Sequence, residues 1–284
     1  MKARPTILLV DLSNQLWRMS HVFSKLSHDG EFTGALYGVV RCVAQAMLHV
    51  RATRLVLCLD RRPYLRSIAY PDYKQLSRKD VDEELRAKVQ VGMGQVLKLA
   101  AAVGIPTWGV PGFESDDLVA HVVAAERNRY DLVVAMSNDS DLGQLFWHPR
   151  FRLYRKMDKN TEQPIITTPD DFAKEWDLEP RDEYVRALAY SGTHNDLAGV
   201  HGIGPKKSAD AVRSPAKWAA AMCVHGDIIR RNIPLIQLPH PELPKDLPVP
   251  RNTRINRNEL IRFLGHYAIK PDSVIIDGMD MVGT

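Results

Sequence analysis

Three short apolar runs, each closed by an acid, constrain this chain more than any other feature. Ile7 to Val10 ends at Asp11, Leu55 to Leu59 ends at Asp60, and Leu132 to Met136 is followed by Ser137, Asn138 and Asp139. Continuous apolar runs of this length suit strands buried on both faces, as in a parallel sheet. Helical spacing fills the gaps between them. Leu36, Val39, Val40, Val43 and Met47 make one apolar stripe; Leu85, Val89, Met93, Val96, Ala100 and Val103 make another. Asp80 and Glu83 stand at capping-box spacing before the second stripe, and Gly104 and Pro106 mark its end. This alternation predicts an α/β fold with a central, mainly parallel sheet flanked by helices. Ligands of such sheets sit beyond the carboxyl ends of the strands, where Asp11, Asp60 and Asp139 fall.

The chain has 284 residues, enough for one or two domains with a full core. Its 45% hydrophobic and 25% charged residues exclude disordered and fibrous classes. Three cysteines, Cys42, Cys58 and Cys223, are too few and too scattered for a disulfide framework or a zinc cluster. Reduced thiols in a cytoplasm are the simplest expectation. No apolar run near the start approaches the length of a membrane span or signal segment. Net charge is only +4, but its distribution is uneven. Arg61, Arg62, Arg66, Lys74, Arg78 and Lys79 stand against the single acid Asp72, with Tyr64, Tyr70 and Tyr73 interleaved. Arg150, Arg152, Arg155, Lys156 and Lys159 form a second basic stretch, and Arg251, Arg254, Arg257 and Arg262 a third. Basic stripes beside acidic points suit a metal-dependent nucleic-acid enzyme; an uneven solvated surface is the bland alternative.

Strand signals fade after about residue 165. Thr168, Pro169, Asp170 and Asp171 read as a helix start. Pro180 opens another helix that should stop before Gly192. A glycine-rich segment, 199–207, leads to a helix from about Ser208. Pro239 to Pro250 reads as an extended loop, and Asn258 to Tyr267 as a helix. The histidines form no ligand pattern. Cys42, Cys58 and the five tryptophans read as packing residues.

An isolated aspartate after a strand is usually a turn or cap residue. Glu114, Asp116 and Asp117 precede an apolar helical stretch, where acids favour the helix dipole. Three carboxylates in four residues exceed what capping needs, because they repel one another. Asp139 and Asp141 follow the third run. All of these donors are oxygens, so together they select Mg²⁺ or Mn²⁺ over zinc. Two such ions can clamp the attacking and leaving oxygens of a phosphodiester.

The ordered motifs resemble the 5′-nuclease family, which takes in phage 5′–3′ exonucleases, flap endonucleases and the 5′-nuclease domain of bacterial DNA polymerase I. Val10-Asp11-Leu12-Ser13-Asn14 is similar to its first-strand motif, and Asp60 to its second-strand aspartate. Arg66, Tyr70-Pro71-Asp72-Tyr73-Lys74 and Arg78 resemble the basic stretch that enters its helical arch. Gly112-Phe113-Glu114-Ser115-Asp116-Asp117-Leu118-Val119-Ala120 resembles G-x-E-A-D-D-x-x-A, and Ser137 to Leu142 resembles S-x-D-x-D. Asp196 and the segment Gly199 to Lys206 resemble the motif of its helix–three-turn–helix. The resemblance covers roughly residues 6–215. It departs at Gly192, which is followed by Thr193 where the family usually has an acid; a second ion would have one charge less to hold it.

The resemblance implies a PIN-like nuclease core in residues 1–175, with an arch segment at 61–82. It implies a helical DNA-binding region in 176–284, with the helix–three-turn–helix around 185–215. Asp11, Asp60, Glu114 and Asp116 would hold a first ion and its waters. Asp139, Asp141 and Asp196 would serve a second, with Asp116 shared and Asp117 close by. Lys74 and Arg78 would act on the scissile phosphate, with Lys79 a substitute for Arg78; Asp116 completes the catalytic set. Tyr70 and Tyr73 would stack on an unpaired base, Tyr73 being equally a packing residue. Arg66, Gly202, Gly204, Lys206 and Lys207 would contact DNA, and a K⁺ ion would sit on backbone carbonyls of the glycine turn. The implied enzyme is a monomeric, cytoplasmic, Mg²⁺- or Mn²⁺-dependent 5′–3′ exonuclease and 5′-flap endonuclease, most like phage versions. Its implied substrates are DNA 5′ ends or flaps and RNA–DNA hybrids met in replication, beside a polymerase. Two other classes stay open: a structure-specific DNA-binding protein impaired by Thr193, and a PIN-type ribonuclease.

Overall fold

The structure, a computed structural model, describes residues 4–74, 82–126, 128–158, 160–161, 163–193, 197–251 and 254–284. Every residue of β1 (Ile7–Asp11) is buried, and α1 (Leu12–Val22) follows without a break because Asp11 caps it. A small hairpin of β2 (Ser27–His28) and β3 (Glu31–Phe32) precedes α2 (Gly34–Val50). Next come β4 (Arg54–Cys58), the short α3 (Leu65–Ala69), the long α4 (Glu83–Val103) and β5 (Thr107–Trp108). The helix α5 (Ser115–Ala125) leads to β6 (Val133–Met136), a 3₁₀ turn at Asp141–Leu145, and the pair β7 (Phe151–Met157) and β8 (Pro164–Thr167).

Apart from the β2–β3 hairpin, these strands form one six-stranded sheet in the order β5-β4-β1-β6-β7-β8. All neighbours are parallel except β8, which returns antiparallel on β7. β1 is central: Leu8 stands beside Leu55 of β4 and Val134 of β6. The chain thus leaves β1 in opposite directions on its two sides, and the crevice at their carboxyl ends is the place where such sheets bind ligands.

Alternate residues of β1 serve two cores. Leu8 and Val10 face a layer with α1, α2 and α4; Ile7 and Leu9 face α5. The second layer continues through α6 (Pro169–Trp176), α7 (Glu183–Ser191), α8 (Pro205–Arg213) and α9 (Pro215–Ile236). Between α7 and α8 lies a two-residue ladder, β9 (Gly192–Thr193) with β10 (Leu197–Ala198). After the proline-rich loop, α10 (Arg257–His266) and α11 (Ser273–Asp280) come back to the first layer. There Leu260, Leu264, Ile275 and Met279 join the core of α2 and α4. Packing therefore places α10 and α11 with the sheet's first face. Among the described residues, no helix is long and apolar enough to cross a membrane.

Local signals account for most helix ends. Thr168 caps α6 and Asp171 caps back, as the sequence predicts. α4 ends at Gly104, whose φ is 84°. Its start differs from expectation: Asp82 is the cap, accepting from Glu84 N at 3.0 Å, and Asp80 lies outside the described residues. α7 starts at Glu183, three residues after Pro180. α8 starts at Pro205 rather than Ser208, since proline at the first helical position needs no N–H partner.

Candidate active site

Hydrogen bonds stitch the strand ends into one rim. Asp11 Oδ1 accepts from Asn14 N at 3.1 Å, and its Oδ2 accepts from Ser137 Oγ at 3.0 Å. Ser137 Oγ accepts from Asp139 N at 3.1 Å, and Asp139 Oδ1 accepts from Asp141 N at 2.9 Å. Asn14 Oδ1 accepts from Asn138 N at 3.2 Å. The end of β1 is thereby tied to the end of β6. Asp60 Oδ1 accepts from Ser115 N at 2.9 Å, which ties the end of β4 to the start of α5. Asp11, Asp60, Asp116, Asp139 and Asp141 all belong to this edge. Ser137 and Asn14, which organise it, were not singled out from the sequence, although both lie inside the motifs quoted.

The electrostatics separate these acids into two sets. Burial, with Asp60 and Asp139 nearby, pushes the Asp11 carboxyl up to about 7. Burial and then Asp139 and Asp11 hold Asp116 well above the usual carboxylate range. Burial and Asp139 do the same to Asp141. Asp116 Oδ1 and Asp141 Oδ1 are buried with no hydrogen-bond partner among the described residues. Among the described residues, no three acidic, histidine or cysteine side chains already close on a common point at ion-ligand spacing. The carboxylates line a rim rather than a finished cage. Even so, mutually repelling oxygens, two of them orphaned, fit a hard divalent cation. Asp11, Asp60, Asp116, Asp139 and Asp141 are the residues that could hold one.

Glu114 belongs to the second set. Burial raises its carboxyl, but Lys74 and Arg66 outweigh burial and hold it below its ordinary value. Its Oε1 pairs with Lys74 Nζ, and its Oε2 accepts from Arg66 Nη1 at 3.1 Å and Tyr73 Oη at 2.9 Å. Asp117 is fully buried. It accepts from Arg66 at 2.6 and 2.8 Å, from Glu114 N at 3.1 Å and from His240 N at 2.7 Å. Those four bonds use the acceptor sites of a carboxylate. The expectation that Asp117 joins the ion ligands is therefore corrected: it is the partner of Arg66.

Two expected DNA contacts are corrected with it. Arg66 is 2% exposed, and Nε and Nη2 donate to the carbonyls of Leu235 and Gln237, so its guanidinium cannot reach a phosphate. Tyr73 is buried with its hydroxyl on Glu114, which makes it a packing residue rather than a base platform. Tyr70 is half-buried, with the Arg231 guanidinium 4.8 Å from its ring centre. Lys74 is half-buried beside the Tyr64 and Tyr73 rings, on a backbone with φ of 57°. Arg78, Lys79 and Asp196 lie outside the described residues.

The glycine segment is built on a close backbone approach. A Cβ on Gly199 would stand 2.1 Å from Gly192 N, and Gly192 itself has φ of 81°. The buried Asn232 side chain donates to the carbonyls of Ala189 and Ala198, locking this hairpin to α9. Thr193 sits in the ladder opposite Leu197. Gly202, with φ of 76°, and Gly204 are exposed, with open space where a Cβ would be, and Gly204 precedes the first turn of α8. Lys206 is exposed. Lys207 Nζ folds back to the Gly202 carbonyl at 3.0 Å, so that carbonyl already accepts from a cation.

The sequence model described as the 5′–3′ exonuclease N-terminal, resolvase-like domain matches residues 6–177. A 5′–3′ exonuclease of Aquifex aeolicus is 28% identical over 211 residues, covering 73% of this chain and 69% of that one. DNA polymerase I of Mycobacterium bovis is 26% identical over 224 residues, covering 77% of this chain; the chain spans 23% of that polymerase's length. The solved structure of T5 5′-exonuclease with divalent zinc ions bound is similar at a TM-score of 0.67 and 18% identity, covering 96% of this chain and 97% of that one. At that identity, the likeness speaks to the fold.

Proposed function

This chain belongs to the 5′–3′ exonuclease family, and on that premise we propose that it is a divalent-metal-dependent, structure-selective 5′-nuclease acting on DNA. Its reactions in this reading are 5′–3′ exonuclease and 5′-flap endonuclease cleavage, used in replication to remove primers or flaps. One observation carries the proposal: among the described residues, Asp116 Oδ1 and Asp141 Oδ1 are buried without hydrogen-bond partners on a rim shared with Asp11, Asp60 and Asp139. Bound Mg²⁺ or Mn²⁺, two ions in this reading, supplies Lewis-acid polarisation of a phosphodiester and acidifies a water nucleophile.

The chain's own groups do the rest. Ser137 and Asn14 hold the strand ends in register, so the carboxylates keep their spacing. Glu114 keeps Lys74 charged beside the rim, where its ammonium can stabilise charge developing on a phosphate. Gly202, Gly204 and Lys206 offer backbone N–H groups and charge to a duplex phosphate without reading sequence. Selection by structure follows from this separation of a duplex grip and a cleavage rim. A monomer in a bacterial or phage-infected cytoplasm, working beside a DNA polymerase, completes the reading.

The test compares a 5′-flap duplex, a blunt duplex and unstructured RNA, each end-labelled, with Mg²⁺, Mn²⁺ or EDTA. Metal-dependent cutting near the flap junction supports the proposal. Flap binding without cutting under either metal would instead make the protein a binder and direct attention to Thr193. Cutting confined to unstructured RNA would favour the ribonuclease class.

A further inference from the structure

The basic run on β7 lies outside the machinery described so far. β7 runs parallel to β6 with Tyr154 beside Met136, and its register shifts between Tyr154 and Lys156. Arg155 therefore stands at the carboxyl end of the strand, where the chain of β6 continues into Ser137 and Asn138. Its Nε donates to Thr167 Oγ1 at 3.1 Å, and its Nη1 reaches the Asn138 carbonyl at 3.5 Å. Arg18 lies one helical turn after Asn14 on α1 and donates from Nη1 to the Arg155 carbonyl at 2.7 Å. Asn14 in turn holds Asn138 N. Arg155 is thus fixed against the turn that carries Asp139, and Arg18 against the strand that carries Arg155.

Their surroundings are unusual for half-buried cations. The groups that hold them are two backbone carbonyls, the Thr167 hydroxyl and, at Arg18, the Cys42 thiol, and no described carboxylate forms an ion pair with either. Arg66 and Lys74, on the α5 side of the rim, each have a carboxylate partner. Among the described residues, the Arg155 guanidinium uses only two of its five N–H donors. Immobilised guanidiniums with spare donors and no anion are prepared for one from outside, and their fork matches phosphate oxygens.

We propose that Arg18 and Arg155 form a phosphodiester-binding site on the β7 side of the carboxylate rim, across β1 and β6 from Lys74. The site holds the backbone of the strand that crosses the rim, without reading its bases. This rests on the nuclease reading, since it is the nuclease substrate that supplies the strand.

Fluorescence anisotropy with a labelled 5′-flap duplex in EDTA tests it, with cleavage in Mg²⁺ measured beside it. The variants are R18Q, R155Q and, as a control at the other end of β7, R152Q, whose guanidinium donates to the carbonyls of Pro149 and Phe151. Far-UV circular dichroism checks folding. R18Q and R155Q sit on different elements, so either folded variant tests the site. Each is expected to weaken flap binding about 3–10-fold and to lower the slope of log affinity against log salt by about 1, with R152Q unchanged. R155K, which keeps the charge but not the fork, should restore the salt slope and only part of the affinity. Wild-type affinity and slope in folded R18Q or R155Q would overturn the site while leaving the nuclease reading intact. A wild-type protein that neither binds nor cuts the flap would overturn the nuclease reading itself.

Discussion

Arg66 and Asp117 form a two-point ion pair, Nη1 to Oδ2 at 2.6 Å and Nη2 to Oδ1 at 2.8 Å, with both side chains shut off from solvent. The same guanidinium reaches Glu114 and the carbonyls of Leu235 and Gln237. One side chain thus joins α3, the start of α5 and the end of α9. Removing it leaves a buried carboxylate uncompensated, which costs about 3–5 kcal/mol. R66M should therefore lower the urea midpoint sharply. The double variant R66M/D117L should recover much of the loss, because no charge is then stranded. A double variant as unstable as R66M plus the single D117L would contradict this.

The raised carboxyls give a pH dependence of definite sign. Asp11 keeps its proton up to about 7 in the folded chain, against an ordinary value of 3.8. Over that window the folded state binds more protons than the unfolded one, so this group's contribution to stability falls as pH rises. In EDTA, Tm should drop by several degrees from pH 5 to pH 7.5 in excess of the drop for D11N. Excess Mg²⁺ should reverse the drop, because a cation binds the ionised form. An identical Tm profile for D11N and wild type would remove Asp11 as its cause.

Lys74 is held in charged form by Glu114, since their pairing outweighs the burial that alone would lower it. Losing a cation that acts on developing charge typically costs 10²–10³-fold in rate. K74M should slow single-turnover flap cleavage by about 10²-fold or more, with flap affinity within about threefold of wild type. An equal loss in affinity and rate would make Lys74 a binding residue only.

Gly199 cannot carry a side chain without moving the Gly192 backbone. G199A should open the hairpin between α7 and α8 and weaken duplex binding. A short duplex without a flap, titrated against wild type and G199A, reads that loss directly. Unchanged duplex affinity in a folded G199A would detach the glycine turn from the duplex grip.

Much of the fold was legible because three strands buried on both faces must be apolar throughout, and their ends must carry the first polar residues. β5 was not legible: a two-residue strand leaves no pattern. Neither was the return of α10 and α11 to the first face, since an amphipathic helix does not say which layer it covers. The acids were legible as a group, but not one by one. Asp116 and Asp117 are adjacent, so on a helix their side chains point about 100° apart. Asp116 keeps an oxygen for the rim, while Asp117 goes to Arg66. The Glu114–Asp117 spacing, three residues across a helix start, was the available signal for that second role. The burial of Arg66 was not legible, because a charge run does not reveal which member is buried.

The most direct test of the account is single-turnover cleavage of a 5′-flap duplex by wild type and D116A, in Mg²⁺ and in EDTA. Wild type should cut near the junction in Mg²⁺ only. D116A should lose that cutting by about 10³-fold or more while still binding the flap. Undiminished cleavage by D116A, or wild-type cleavage that survives EDTA, would contradict the claim that the carboxylate rim is the seat of a metal-dependent reaction.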